Sequence, residues 1–172
     1  MFWLFIGILL LFALTVFKGA PYVPTHRRQV EVALDLLELQ AGDVVVDLGS
    51  GDGAVLKAAA KRGLVAYGYE INPILCLVAW LRCWRYRKRV RIVWADLWRV
   101  RLPDETKGVF IFAGGPFMLR LAKKLTDESA GLGKPFRVAS YGFALPGVTL
   151  AKAAEAVNVY QFPQTLSNKS GK

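Results

Sequence analysis

The 172-residue chain is expected to fold as an α/β protein on a doubly wound, mostly parallel sheet with an abbreviated C-terminal edge, preceded by an N-terminal transmembrane helix. Three observations predict this. The apolar stretch VVVDL at 44–48 runs directly into three closely spaced glycines and an alanine-rich segment. Two further short apolar runs each end in an acidic residue, and the first seventeen residues, MFWLFIGILLLFALTVF, carry no charge.

Residues 1–18 read as a membrane anchor. Seventeen residues at ~1.5 Å each give about 25 Å of helix, at the lower edge of what a ~30 Å hydrocarbon layer requires. No basic n-region precedes the run, and Phe17-Lys18-Gly19-Ala20 is a poor cleavage context, which favours an uncleaved anchor over a signal peptide. Lys18, Arg27 and Arg28 follow it, so the positive-inside rule puts a single-pass protein's remaining chain on the cytoplasmic side. Residues 19–42 then form an entrance segment, stiff between Pro21 and Pro24, and a first helix. Thr25 is the expected N-cap of that helix, with an apolar face of Val30, Val32, Ala33, Leu36 and Leu37. Residues 43–163 make one domain of ordinary size, and 164–172, ending SNKSGK, are a disordered tail.

Within the domain, Asp43 stands at the entrance of a strand whose apolar and β-branched residues suit burial on both faces of a parallel sheet. Gly49, Gly51 and Gly53 allow backbone angles and a close ligand approach that a Cβ would obstruct. AVLKAAAKRG continues as a helix closed by Gly63. The spacing is G-x-G-x-G, not the dinucleotide G-x-G-x-x-G. Asp47 just before the loop would repel a pyrophosphate at the helix start, so a cationic ligand fits better. LVAYGYEINP supplies a second strand ending in Glu70. Asn72 and Pro73 follow as N-cap and first-turn proline of the helix ILCLVAWLRCWRYRK. VRIVWAD is a third strand ending at Asp96, GVFIFAGGPF a fourth, RVASYGF a fifth, and EAVNVYQF a further one. About thirty residues follow Gly142, which predicts a shortened last edge.

Asp47, Glu70 and Asp96 thus arrive from successive strands at one crevice, where doubly wound sheets bind ligands. VVVDLGSGDG together with GYEINP and WADLW resembles the Rossmann-like class I, seven-strand methyltransferases that use S-adenosyl-L-methionine. The resemblance implies that Gly49 and Gly51 pass the methionyl part, with Asp47 and Asp52 near it. It further implies that Glu70 holds the ribose hydroxyls and that Asp96 with Leu97 contacts adenine. Ser50, Gly53, Ile71 and Asn72 complete the implied cofactor set. A carboxylate-lined pocket suits a ligand bearing a sulfonium and an ammonium. Adding YVPT before the first helix narrows the resemblance to membrane-anchored protein-lysine methyltransferases, whose mitochondrial members modify the c-ring protein of ATP synthase and the adenine nucleotide translocator. That family implies a protein substrate, with Tyr22, Pro24 and Thr25 folding over the cofactor at the substrate entrance. A plain linker there is the other reading of the same residues.

No residue stands out as a catalytic base. His26, the sole histidine, sits beside Arg27 and Arg28 as a first-turn surface residue. The fourth strand ends in Ala113-Gly114-Gly115-Pro116 where many amino methyltransferases carry an Asn-Pro-Pro-Tyr or Asp/Glu-x-x-aromatic motif. This departure argues against adenine-N6 or glutamine-amide chemistry of that type. Gly114 and Gly115 can clear a channel for a long side chain, with Phe117 and Tyr141 as walls or as core.

The net charge of +10 is concentrated. Arg82, Arg85, Arg87, Lys88, Arg89, Arg91, Arg99 and Arg101 share a segment with Trp84, Tyr86, Trp94 and Trp98 and only one acid, Asp96. Segment 82–101 suits anionic lipid head groups beside an anchor and, less well, nucleic acid. Cys76 and Cys83, about 10 Å apart on one helix, are too distant to pair, and no spacing suggests a metal. Two further activities stay open: methylation of a lipid or hydrophobic small molecule, and an RNA-directed or non-catalytic role.

Overall fold

The computed structural model describes residues 25–163. Among these residues four α-helices, α1 (Arg27–Leu37), α2 (Ala54–Lys61), α3 (Pro73–Cys83) and α4 (Gly115–Leu132), accompany seven strands. These are β1 (Val44–Leu48), β2 (Val65–Glu70), β3 (Val90–Trp94), β4 (Thr106–Ile111), β5 (Phe136–Tyr141), β6 (Leu150–Ala154) and β7 (Val157–Phe162). They form one sheet in the order β3-β2-β1-β4-β5-β7-β6, parallel from β3 to β5 and antiparallel at β5-β7-β6. Strand order reverses between β1 and β4, so their carboxyl ends frame the crevice at the switch point.

Alternation along the central strands feeds two cores. Val45, Ala66, Val90, Phe110 and Ala139 meet the buried faces of α1 and α2, whereas Val46, Leu48, Val109, Ile111 and Val138 meet Met118, Leu121 and Leu125 of α4. Both faces of the sheet are covered, which is why β1 reads as a nearly continuous apolar run. Arg62, the C-cap of α2, ties to α1 through Glu31 at 2.5 Å and Asp35 at 2.6 Å.

Several sequence expectations change. The C-terminal edge is complete, not abbreviated, because β6 needs only five residues and its turn only two. That turn, Glu155-Ala156, has φ of 48° and 65° without glycine. Arg28 grips Glu155 with two 2.6 Å bonds. Helix α4 has no counterpart among the expected elements. The N-cap of α1 is His26, without a side-chain cap bond, so Thr25 lies one residue too early. Leu34 joins the buried face of α1 while Val32 and Leu36 are only half-buried. The expected single-pass membrane localisation is not supported: among the described residues no helix is long and apolar enough to cross a membrane. Residues 1–18, on which that expectation fell, lie outside the described residues, as do Tyr22, Pro24 and the tail 164–172.

Candidate functional site

The glycine loop docks back onto β2. The Tyr69 carbonyl accepts from the Gly49 N–H at 2.9 Å and the Ser50 N–H at 3.0 Å. Gly51, at φ +50°, donates its N–H to Glu70 Oε2 at 2.9 Å. The other Glu70 oxygen accepts from the Asn72 N–H at 2.8 Å. Asn72 in turn caps α3, its Oδ1 accepting from the Ile74 N–H at 2.9 Å and the Leu75 N–H at 3.4 Å. One buried carboxylate therefore fixes both the loop after β1 and the start of α3. An ionised carboxylate offers about four acceptor positions, so Glu70 keeps capacity toward a ligand after these two bonds.

Asp47 sits in β1 opposite Gly68 and Phe110 and is 3% exposed. Burial, then the negative charges of Glu70 and Asp52, hold its carboxyl well above the usual carboxylate range. Asp52 is engaged elsewhere: it accepts from the Ala54 N–H at 3.2 Å and pairs with Arg82 of α3 at 2.7 Å. Asp96, just after β3, accepts from the Trp98 N–H at 3.0 Å, and Leu97 packs against the α4-side core. The Ile71 carbonyl accepts the Trp94 indole N–H at 2.9 Å.

These residues fit a cationic adenosyl cofactor. Gly49 has φ +91°, and a Cβ built there would meet nothing within 4 Å, so the space over the loop is open to a ligand. The buried Ser50 hydroxyl has no hydrogen-bond partner within the protein. Asp47 and Glu70 are the buried carboxylates of this site, and a positive ligand favours the charged form of Asp47 that burial and its acidic neighbours disfavour.

At the ends of β4 and β5 the surroundings are aromatic. Phe112 and Tyr141 pair at 4.6 Å between centroids, and Phe143 stands 3.7 Å from where a Cβ of Gly115 would lie. Gly114 caps α4 with extended backbone. Phe117 pairs at 6.3 Å with Trp98, on which Arg120 also rests, and so belongs with the α4-side core and not beside Tyr141. Thr25 is half-buried ahead of α1. Arg82 and Phe143 are the neighbours that sequence reading passes over. Arg82 is hidden in a run of similar residues, and Phe143 depends on how the chain turns after β5. Cys76 and Cys83 are free thiols, each pushed up to about 11 by burial, hence inert packing groups.

A glycine loop at the switch point of a seven-strand sheet, floored by strand-end carboxylates, is the arrangement of the class I methyltransferase fold. An RNA methyltransferase of Salinibacter ruber, solved with S-adenosyl-L-homocysteine, superimposes with a TM-score of 0.72 at 26% identity, over 81% of this chain and 92% of that one. Residues 47–152 match the ANTKMT methyltransferase domain, and the chain belongs to that family. The lysine N-methyltransferase of Xenopus laevis named for the c-ring protein of ATP synthase is 42% identical over 110 residues, 63% of this chain and 48% of that protein. The adenine nucleotide translocase lysine N-methyltransferase of Mus musculus is 41% identical over 129 residues, 73% and 54% respectively. The chain thus spans about half the length of these curated relatives.

Proposed function

We propose that the protein N-methylates lysine on a protein substrate. The carboxylate-floored glycine loop carries methyl transfer, and relatives at 41% and 42% identity, both named for lysine methylation, favour that acceptor over the RNA of the 26% structural neighbour. S-Adenosylmethionine, when bound, supplies a methyl group already activated on a sulfonium. In this reading Glu70 accepts from the ribose hydroxyls, Asp96 and Leu97 border the adenine, and Asp47 offsets the ligand's positive charge. Gly49, Ser50, Gly51 and Gly53 shape the loop, with Ile71 and Asn72 completing it. Asp52 acts at one remove: held by Arg82, it fixes the loop's exit into α2. Gly114 and Gly115 leave room for a long acceptor side chain. Phe112, Tyr141 and Phe143 exclude water around it, with Thr25 at the entrance. Apolar surroundings lower an amine's pKa from ~10.4 and raise its reactive neutral fraction.

The test is radiolabelled methyl transfer by the full chain into fractionated cell protein, lipid and RNA, followed by mass mapping. Label on lysine is expected. Label confined to RNA or to extracted lipid would overturn the acceptor while leaving the cofactor assignment intact.

Asp47 provides an activity-independent check on the site. Its pKa is raised in the free protein, and a bound cation pulls it down, so cofactor binding should release protons. The affinity should rise with pH up to the raised free-protein value and level off above it. Calorimetry in buffers of different ionisation enthalpy measures the release, and Asp47→Asn should remove it. By the same sign, the free fold loses the stability linked to protonated Asp47 as pH climbs from the usual carboxylate range, ~3.9, to that raised value.

A further inference from the structure

Helix α3 is apolar on two opposite faces. Leu75, Ala79 and Cys83 point inward and are buried. Leu77, Trp80, Leu81 and Trp84 recur at i, i+3, i+4 and i+7, the spacing by which a helix normally buries a stripe, yet Leu77 is 56% and Leu81 60% exposed. Trp80 and Trp84 meet edge-on at 4.4 Å, and Trp94, 70% exposed, lies next to the helix start with its indole N–H tied to the Ile71 carbonyl. A large outward apolar patch marks an interaction site.

Charge identifies what covers it. From 71 to 95 there is no acidic residue, while Arg82, Arg85, Arg87, Lys88, Arg89 and Arg91 line the end of α3, the 3-10 turn Trp84–Tyr86 and edge strand β3. Among the described residues, Arg82 alone of these pairs with a carboxylate, Asp52 of the glycine loop. Arg87 lies over the Trp84 ring at 5.1 Å, placing a guanidinium at the margin of the patch. A second copy would bring like charges together. Single-stranded nucleic acid would use the ring faces but would leave Leu77, Val78 and Leu81 uncovered. Aliphatic residues at the centre, tryptophans beside them and arginines around the margin match the layered chemistry of a bilayer interface.

We infer that the outward face of α3, with Trp94 and the arginines that follow the helix, docks reversibly on an anionic lipid surface. The contact is peripheral and stands independently of the methyl acceptor. It needs no membrane-spanning segment. It presents the β3 edge of the sheet to the bilayer and leaves the β4–β5 end of the crevice open to a substrate.

Vesicles of phosphatidylcholine and phosphatidylglycerol containing brominated phosphatidylcholine test this on the full chain, because bromine quenches only tryptophans that reach the acyl boundary. Wild-type emission should be quenched about twice as strongly as that of Trp80→Phe/Trp84→Phe/Trp94→Phe. Arg85→Gln/Arg87→Gln/Arg89→Gln should raise the lipid concentration for half-maximal face quenching by roughly a hundredfold, from about fivefold per charge. All six positions are on the surface, and unchanged thermal unfolding confirms that each variant folds. Equal quenching of wild type and the tryptophan variant, or of wild type in neutral and anionic vesicles, would overturn the assignment. So would tighter binding of a single-stranded RNA through the same arginines, or a dimer that buries the patch.

Discussion

Replacing Glu70 with alanine is expected to abolish cofactor binding and to destabilise the fold at the same time. The variant strands the Gly51 and Asn72 amide protons, both buried donors whose acceptor is this carboxylate. Each unsatisfied donor costs ~1–3 kcal/mol, so the loss is roughly 2–6 kcal/mol, a large part of an ordinary domain's stability. The damage propagates because the two donors begin different elements: the Gly51 end leads into α2, and Asn72 caps α3. Glu70→Gln should fall between the two. Its single carbonyl oxygen can keep one amide bond, but its NH2 opposes the other donor. Urea unfolding separates the stability loss from affinity measured by calorimetry. If the glutamine variant folds with near wild-type stability and binds cofactor within about threefold of wild type, Glu70 is a structural acceptor and not a ligand contact.

That double duty explains what the sequence could and could not disclose. Asp47, Glu70 and Asp96 were legible as strand-end acids because each closes an apolar run, and period and punctuation are local signals. Asn72-Pro73 was legible for the same reason, and the cap geometry matches it. The engagement of Asp52 by Arg82 was not, since it depends on α3 lying beside α2, thirty positions away in the chain. The last edge of the sheet is obscure in the sequence for similar reasons. LAKAA has neither β-branched residues nor clean alternation, and the two-residue hairpin turn lacks the Asn-Gly pair that usually marks one. Its ion-pair partner, Arg28, comes from α1 and is far away in sequence, so the local residues do not announce the pairing with Glu155. Helix α4 buries Met118, Leu121, Ala122 and Leu125 in the core shared with β4, β5 and β7 while showing Arg120, Lys123 and Asp127 to solvent, a helical period that carries no chemistry of its own.

The loop's fit against β2 leads to the second large effect, at a glycine outside the motif. Gly68 lies in β2 beside Asp47, and an added Cβ would come within 2.5 Å of Leu56 Cδ1, 2.7 Å of Ser50 Oγ and 2.9 Å of Ser50 Cβ. The leucine methyl ends a flexible side chain and can turn away. Ser50 cannot: its Cβ is fixed by a backbone whose N–H is bonded to the Tyr69 carbonyl. Gly68→Ala should therefore lift the glycine loop off the strand, costing ~1–3 kcal/mol of stability as overpacking does and at least tenfold in cofactor affinity. Gly49→Ala is the contrasting control, with a strained φ but open space around its Cβ, so it should cost strain without displacing Ser50. The decisive comparison is Ser50→Gly/Gly68→Ala, in which the clashing atoms are gone and only Leu56 must move. Its stability should exceed that of Gly68→Ala alone, a coupling that independent sites do not show. Simple additivity of the two changes, measured by denaturant unfolding, would mean that the loop is not seated on β2 through this contact.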